Sequence, residues 1–357
     1  MVLRGGASLA GAAALSGCTS ISGLFETRNA GEPPLPENRP DAVYYPSHVE
    51  GMTMAGMGTS GDYKFGLMYS FAHRFWNVNG EGVEKTSIEE DDSAHLMASV
   101  WDPETGVVIP ETGLTVEISR DSESVSQETI YPMLSQPMRF HYGANFGPFE
   151  DGTYTATLSV GGLSTRRTGS FVDRFGEPTS VDIEFEYSEE TKQEVMFRTL
   201  DEKAGTKGAV EPMEMEGVPQ SFAPTTDDLP GRVVGEGTSN DVGFVPTVLD
   251  SPPQGIDEQK SYLAVSARTP YNRMIVPAMG LSGTLVRDGE TVFEGSLQRT
   301  LDPTLNYHYG AVVDDVQPGD ELTLSVGTQP QTARHEGYET AFGGLMGDMS
   351  DVTIQLQ

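Results

Sequence analysis

Imidazole and thioether side chains recur at short intervals in the first half of the chain. His95 and Met97 are two residues apart in SAHLMASVW, so on a strand both side chains point to one face. Met133, Met138 and His141 follow in YPMLSQPMRFHYG. Imidazole combined with thioether suits copper, above all Cu(I), whereas oxygen-only sites suit magnesium or calcium. The pattern predicts that His95, Met97, Met133 and His141 bind one soft metal ion, with core packing of the same residues as the alternative.

Methionine recurs in two further segments. HVEGMTMAGMGTS contains His48, Met52, Met54 and Met57, and EPMEMEG at 211–217 repeats the pattern. Such spacing suits a segment that captures Cu(I), although packing of an apolar strand explains it equally well. His73 in FAHRFW lies beside aromatic residues and is interpreted as a packing residue.

The chain contains an internal repeat. The tetrapeptide His-Tyr-Gly-Ala occurs in RFHYGANF at 139–146 and again in NYHYGAVV at 306–313, 167 residues later. The same offset relates Pro110 to Pro277. A period of this length is too long for a solenoid unit, so each copy is expected to be a domain with its own core. The two copies are expected to be able to pack as an intramolecular pseudo-dimer.

The residue pattern predicts an all-β chain. Short runs rich in β-branched and aromatic residues, such as TYTATLSV and VDIEFEY, are separated by Gly, Pro, Asp and Asn, as in antiparallel sandwiches. We therefore expect two immunoglobulin-like antiparallel β-sandwich domains from an internal duplication. The expected divisions are a signal peptide at 1–17, a flexible spacer at 18–43, a first domain at 44–202, a linker at 203–231 and a second domain at 232–357.

The first residues resemble a lipoprotein signal peptide. A short apolar run ends in Leu15-Ser16-Gly17-Cys18, which matches a lipobox whose cysteine becomes the lipid-acylated N-terminus. Cys18 is the only cysteine, so a disulfide within one chain is excluded. We expect a protein on the extracellular face of the cell membrane, held there by a lipid anchor.

Composition restricts the class of partner. The 357 residues include 53 Asp or Glu and 22 Lys or Arg, for a formal net charge of −31. Such a surface repels phosphate, so a nucleic-acid partner is excluded. Carboxylates spread along the whole chain indicate a halophilic protein that stays hydrated in concentrated salt. No phosphate loop, nucleophile elbow or zinc-protease helix motif occurs, and we expect no enzymatic activity.

Several of these motifs occur together in one known family. The pattern HLxA, then IP near a glycine, then PM followed by HYGAN and a G-x-Y strand resembles the periplasmic ferrous-iron-transport accessory proteins. That family includes copper-binding dimers and a spirochaete membrane lipoprotein antigen. The resemblance implies a dimerising immunoglobulin-like sandwich whose metal site uses Met, His, a carboxylate and a further His late in the domain.

The resemblance assigns roles to single residues. His95 corresponds to the family's first histidine, Met133 to its methionine and His141 to its second histidine. Met97 stands where the family has Glu, which makes the site softer, and Met138 is a possible substitute ligand. The late histidine is expected to be replaced by Arg167, which cannot bind a cation.

The second copy has lost most of these residues. Tyr262, Ala264, Thr300 and Leu305 occupy the positions of His95, Met97, Met133 and Met138. His308 and His335 remain as possible secondary ligands, either structural or donated across a pseudo-dimer interface. We expect the structural role, because hydrogen bonds satisfy a buried histidine.

The expected function is that of a membrane-tethered extracytoplasmic protein that binds copper or, alternatively, ferrous iron. It would be accessory to metal uptake or handling, with a metal permease as its partner. The other possibility is a surface structural or adhesion module of two immunoglobulin-like domains without a metal.

Overall fold

The computed structural model describes residues 32–80, 82–256 and 260–357. The signal segment 1–17, the lipobox with Cys18 and most of the expected spacer lie outside these residues. No helix in the described ranges is long and apolar enough to cross a membrane.

The chain is built almost entirely of strands. Those of the first half are β1 (His48–Glu50), β2 (Thr53–Ser60), β3 (Tyr63–Ser70), β4 (Phe75–Asn79), β5 (Gly82–Thr86), β6 (Ala94–Trp101), β7 (Thr115–Arg120), β8 (Glu123–Thr129), β9 (Tyr131–Ser135), β10 (Arg139–Phe146), β11 (Gly152–Val160), β12 (Arg166–Arg167), β13 (Thr179–Tyr187) and β14 (Phe197–Thr199). Those of the second half are β15 (Arg232–Val233), β16 (Gly237–Ser239), β17 (Val242–Leu249), β18 (Ser261–Arg268), β19 (Gly280–Arg287), β20 (Glu290–Asp302), β21 (Asn306–Val313), β22 (Glu321–Thr328), β23 (Ala333–Arg334) and β24 (Val352–Gln355). Within the described residues there are one short helix, α1 (Glu189–Gln193), and two single 3-10 turns, Gly169–Phe171 and Gly344–Met346.

The first half forms two facing sheets. The larger has the order β2-β3-β6-β10-β9-β23-β4-β5, and the smaller has the order β13-β11-β7-β8. They meet closely where β2 crosses β13, since a Cβ added at Gly58 would lie 2.5 Å from a methyl group of Val181. Aromatic side chains such as Tyr69 and Phe185 fill the space between the sheets. The predicted all-β, immunoglobulin-like sandwich is confirmed.

The second half repeats this architecture. Its strands follow the order β15-β17-β18-β21-β20-β19-β22-β24, and the long β20 takes part in both layers. The register is duplicated as well, because Gly143 pairs with Met97 across β10 and β6 while Gly310 pairs with Ala264 across β21 and β18. The strand pairing thus repeats at the same offset as the His-Tyr-Gly-Ala motif, as expected of an internal duplication.

The two halves exchange short strands. β23 of the second half pairs with β9 and β4 of the first, and β12 of the first half pairs with β20 of the second. One hydrophobic core contains residues of both halves. The segment 203–231 bonds to each half, for example from the Val210 amide to Gln136 and from the Ala223 amide to Arg273. The two halves are therefore joined by exchanged strands and by a common hydrophobic core.

Strand β6 separates the core from the site. In AHLMASVW every residue is buried, because one face packs into the sandwich and the other is covered by neighbouring segments. Leu96 and Val100 belong to the core. His95 and Met97 alternate with them and point to the opposite face, as the strand period of two requires.

Candidate metal centre

Four histidines and one methionine converge on this opposite face. We call them the histidine cluster: His73, His95, Met133, His141 and His335. His95 lies in β6, and Met133 of β9 pairs directly with His141 of β10. His73 lies between β3 and β4, and His335 follows the exchanged strand β23. The second half therefore supplies one of the four imidazoles.

The imidazoles are close enough to share an ion. Ligand nitrogens of His73, His95 and His335 all lie within 4.8 Å of one another, and all three residues are buried. The ring centroids of His73 and His95 are 4.0 Å apart, and those of His73 and His335 are 4.6 Å apart. The Nε2 atom of His335 is 3.3 Å from the Sδ atom of Met133. The His141 ring lies 5.1 Å from that of His335, at the side of the group.

The ring orientations are fixed by hydrogen bonds at Nδ1. His73 Nδ1 lies 3.0 Å from the Phe71 carbonyl, and His141 Nδ1 lies 3.0 Å from the Arg139 carbonyl. His95 Nδ1 lies 2.8 Å from the amide oxygen of Asn145, whose Nδ2 group donates to the His73 carbonyl. Because these oxygens only accept, Nδ1 carries a proton in each ring, and Nε2 is the atom that offers a lone pair when the ring is neutral. A metal-binding histidine is held in the same way by its outer neighbours.

Three Nε2 atoms of the cluster accept no hydrogen bond in the described part of the chain. The Nε2 atoms of His73, His95 and His141 are buried and have no hydrogen-bond partner among the described residues. Burying a polar atom without a partner costs on the order of 1–3 kcal/mol. Three such atoms at one place would be a costly arrangement for packing alone, and a bound cation would satisfy them. The residues present therefore fit a transition metal ion.

Burial also keeps the rings in the form that binds metal. Burial, followed by the neighbouring His73 and His141, holds the pKa of His95 well below its usual value, and the pKa of His335 is lowered by burial and the other rings. The pKa of His141 is lowered to about 4, chiefly by burial. Neutral imidazole is the metal-binding form, so these three rings are ready to bind an ion at neutral pH.

A carboxylate lies beside the cluster. Glu50 Oε2 is 3.5 Å from His73 Nδ1, and Glu50 Oε1 is 3.4 Å from His48 Nε2. Burial alone would raise the pKa of Glu50, but hydrogen bonds from His48 and His73 more than offset it and lower the pKa to about 2. A charged carboxylate behind His73 would stabilise positive charge on the cluster.

The repeated glycine of the His-Tyr-Gly motif gives the cluster its space. A Cβ atom added at Gly143 would lie 2.5 Å from His95 Nε2 and 3.2 Å from His141 Cδ2. At Gly310 the added atom would lie 2.0 Å from the Tyr262 hydroxyl. In both halves the glycine thus makes room for the side chain of the neighbouring strand. The tyrosine has a structural role, since the hydroxyls of Tyr142 and Tyr309 donate to backbone carbonyls across the sandwich.

The equivalent position in the second half is filled by protein. Tyr262 donates to or accepts from His308 Nε2 at 3.1 Å, and the Arg166 guanidinium donates to the Tyr262 hydroxyl at 2.7 Å. Arg166 also donates to Thr300 Oγ1 at 2.9 Å. A fixed cation with satisfied partners occupies the space that the histidines line in the first half. Both ring nitrogens of His308 thus lie at hydrogen-bond distance from protein atoms, Nε2 from the Tyr262 hydroxyl and Nδ1 from the Asn306 carbonyl.

The structure changes several details of the predicted site. His335 lies in the first-half cluster, so the expectation of a purely structural role does not describe its position. Its counterpart is Thr168 and not Arg167, because Ala333 pairs with Met133 and Arg166 pairs with Thr300. Sequence analysis also missed His73, whose aromatic neighbours suggested packing. No local signal marked it, because His73 reaches the cluster only through the pairing of β3 with β6, in which Ser70 lies opposite His95.

The predicted ligand Met97 lies in a different place from its three companions. It lines a small cavity next to His141, together with other methionines that include Met52 and Met138. Met138 also borders the space beside His48, Glu50 and His335. Of the other predicted secondary residues, Met54 packs against the core and Met57 is 37% exposed.

Comparison with known proteins adds the following. Two solved structures are similar: a copper-bound variant of FetP from uropathogenic Escherichia coli strain F11 and copper-reconstituted P19 from Campylobacter jejuni. The FetP variant is 20% identical, with a TM-score of 0.28, over 38% of this chain and 97% of its own. P19 is 19% identical, with a TM-score of 0.27, over 38% of this chain and 96% of its own. Similarity at this level establishes no ligand for this chain.

A comparison with curated proteins gives no significant match. A family model described as a domain of unknown function, DUF7350, matches residues 49–164 and 227–355. The matched residues include every member of the histidine cluster, strands β2 to β11 of the first half and strands β15 to β24 of the second. Because the match extends over more than half of the sequence, the chain belongs to the DUF7350 family.

Proposed function

We propose that this protein binds one transition metal ion at the histidine cluster and that the ion is copper. The observation that carries the proposal is the convergence of His73, His95 and His335, whose ligand nitrogens lie within 4.8 Å of one another in a buried site. The donors come from strand β6, from the connection after β3 and from the segment after β23, so the arrangement is a product of the whole fold.

The donor set favours copper over the alternatives. Imidazole binds copper, zinc and iron, and a thioether adds preference for Cu(I). The Met133 sulfur lies beside His335 Nε2, where it can join the same ion. Ferrous iron is the second candidate. The Glu50 carboxylate faces the outer side of His73, and the carboxylates of Glu32 and Glu336, which line the same space, are paired with Arg74. A site without a direct carboxylate ligand suits iron less well.

The biological setting is part of the proposal. The lipobox at Leu15-Ser16-Gly17-Cys18 supports a lipid-anchored protein outside the cytoplasm, and the negative charge supports a halophilic source. A tethered copper protein of this kind would deliver its ion to a metal permease in the same membrane. The cluster is a binding site for cargo, and no catalytic role is proposed.

Binding assays on histidine variants test the proposal. Cu(I) is titrated anaerobically, in high salt, against a colorimetric Cu(I) chelator with wild type, His73→Gln, His335→Gln and His308→Gln. We expect the first two variants to hold the ion at least ~10-fold more weakly, since each loses one ligand. His308→Gln is the matched control, because it removes a buried histidine from the half that lacks the cluster. Wild-type affinity in both His73→Gln and His335→Gln would refute the proposed site.

A further inference from the structure

A second set of soft donors lies beside the histidine cluster. Five methionines line one cavity together with His141, and we call this space the methionine cavity: Met52, Met68, Met97, Met138 and Met215. They come from five segments of the chain, including β3, β6 and the 203–231 connection. The cavity measures about 10 Å³. This is about the space of one water molecule, so it would admit a single bare ion without its hydration shell.

The innermost methionines are aligned by the sheet. Met68 of β3 pairs with Met97 of β6, so both side chains lie on the face that also carries His95. Both are almost fully buried, and Met138 is 8% exposed. Methionine is common in cores, so burial of these three would by itself indicate packing.

The observation beyond packing is the buried Nε2 atom of His141, which lines the same cavity and has no hydrogen-bond partner among the described residues. Met52 and Met215 are partly buried and pack against the edge of the core. Met57, which is 37% exposed, lies against Gly217 of the same connection, where an added Cβ would be 3.0 Å from the Met57 methyl carbon. The thioethers thus extend from the surface to His141, in a segment that also carries two glutamates, at 214 and 216.

The methionine cavity and the histidine cluster share a wall. His141 lines the cavity and also belongs to the cluster. Met138 lines the cavity and borders the space beside His48, His73 and His335. An ion held by the thioethers would therefore be adjacent to the imidazoles.

A fixed positive charge restricts which ion this cavity accepts. Arg139 lines it and is buried, with Nη1 donating to the Pro219 carbonyl at 3.3 Å. The negative charge of Glu214 acts on Arg139 and partly offsets its positive charge. Coulomb repulsion scales with the charge of the ion, so a divalent cation is opposed twice as strongly as a monovalent one. Thioether ligands add a preference for soft ions.

We infer that the methionine cavity is a second metal subsite, selective for a soft monovalent cation such as Cu(I), with Met68, Met97 and Met138 as its ligands. It lies beyond the ion proposed for the histidine cluster. An ion bound there would be one step from the imidazoles, on the side where the methionines reach the surface.

Silver(I) is the probe for this subsite, because it is soft, monovalent and inert to redox change. Binding of Ag(I) is followed by calorimetry, and the ligands are counted by X-ray absorption at the silver edge. The variant is Met68→Leu/Met97→Leu, which conserves volume and so keeps the fold. Met133→Leu is the matched control, since it removes a thioether from the histidine cluster alone. Binding of Co(II), read from its visible spectrum, reports on the imidazoles separately.

We expect wild type and Met133→Leu to bind an Ag(I) ion with at least two sulfur neighbours, and Met68→Leu/Met97→Leu to lose it while its Co(II) spectrum stays unchanged. If the double variant unfolds, Met138→Leu at the cavity edge is used in its place and should weaken Ag(I) at least ~10-fold. An unchanged sulfur shell in a folded double variant, or in Met138→Leu, would overturn the subsite. If wild type does not bind Co(II) at all, the result would instead count against the histidine cluster.

Discussion

Gly143 shows how a single residue determines the geometry of the histidine cluster. A Cβ atom at this position would lie only 2.5 Å from His95 Nε2. Its absence lets the imidazole lie over the backbone of β10. The second half uses the same device for another purpose, because Gly310 leaves room for the Tyr262 hydroxyl. The repeated triplet is therefore a packing solution that both halves keep, and only one half uses it to gather ligands.

Gly143→Ala is expected to weaken copper binding by ~10- to 100-fold, because the added methyl group displaces the His95 ring from its place. Competition with a Cu(I) chelator measures the change. Gly310→Ala is the matched control: it should lower the melting temperature through the clash with Tyr262 and leave copper affinity unchanged. Equal loss of affinity in both variants would show that the effect is general destabilisation.

Acid should destabilise the metal-free protein through its buried histidines. Burial lowers the pKa of His308 to about 4, whereas an unfolded histidine has a pKa of about 6.5. Below about pH 6.5 the unfolded chain binds a proton that the folded chain does not, so the free energy of unfolding falls until about pH 4. Above about pH 6.5 the group contributes nothing. For His308 the loss at pH 5 is about 2 kcal/mol.

Urea unfolding of the metal-free protein at pH 7 and pH 5 measures this effect. Between pH 7 and pH 5 the free energy of unfolding of His308→Gln should fall by about 2 kcal/mol less than that of wild type. This difference does not depend on the stability of the variant at pH 7. Identical losses in the two proteins would mean that His308 is accessible to protons in the folded state.

At the scale of elements, strand exchange brings His335 to the cluster. β23 has only two residues, and its position depends on Arg334, which is fully buried. The Arg334 guanidinium donates to the Ala341 carbonyl and to Gln329 Oε1, both at 2.7 Å. These bonds hold the segment that follows β23. The counterpart Arg167 in β12 donates to the Arg174 carbonyl at 2.8 Å and is near no cluster residue.

Arg334→Leu should therefore cost about 3 kcal/mol of unfolding free energy, because two buried acceptors lose their donor, and should weaken copper binding as His335 shifts. Arg167→Leu should reduce stability by less and leave copper affinity unchanged. Chemical unfolding and metal titration of both variants measure the two effects. Full copper affinity in Arg334→Leu would show that β23 is positioned by its strand pairing alone.

Local sequence patterns predict the strands but only part of the histidine cluster. The strands, the sandwich and the duplication follow from local residue patterns and from the repeated motif. His95, Met133 and His141 also follow, because they lie in the copy that keeps its motif. His73 and His335 do not, since their approach depends on a connection after β3 and on an exchange between halves. No local pattern encodes such long-range pairing.

At the scale of the whole molecule, the large negative net charge makes stability depend on salt. With a formal net charge of −31, the folded chain repels itself at low ionic strength. Lys and Arg number 22 against 53 Asp and Glu, so most carboxylates have no cationic partner to pair with. Salt shortens the screening length from about 10 Å at 0.1 M to about 3 Å at 1 M.

The melting temperature should accordingly rise by about 5 °C or more between 0.1 M and 2 M KCl. Differential scanning calorimetry of the metal-free protein measures it, with metal kept out by a chelator. A melting temperature that is flat or falls over this range would contradict the interpretation of the composition as an adaptation to salt.

The central claim is that side chains of both halves hold one copper ion together. Anomalous X-ray scattering at the copper edge, from crystals of the copper-loaded protein, tests it most directly. Whether or not the methionine cavity is also occupied, we expect a strong peak at about 2 Å from ring nitrogens of His73, His95 and His335. Copper found only at surface carboxylates, with these three rings clear of any peak, would contradict the account.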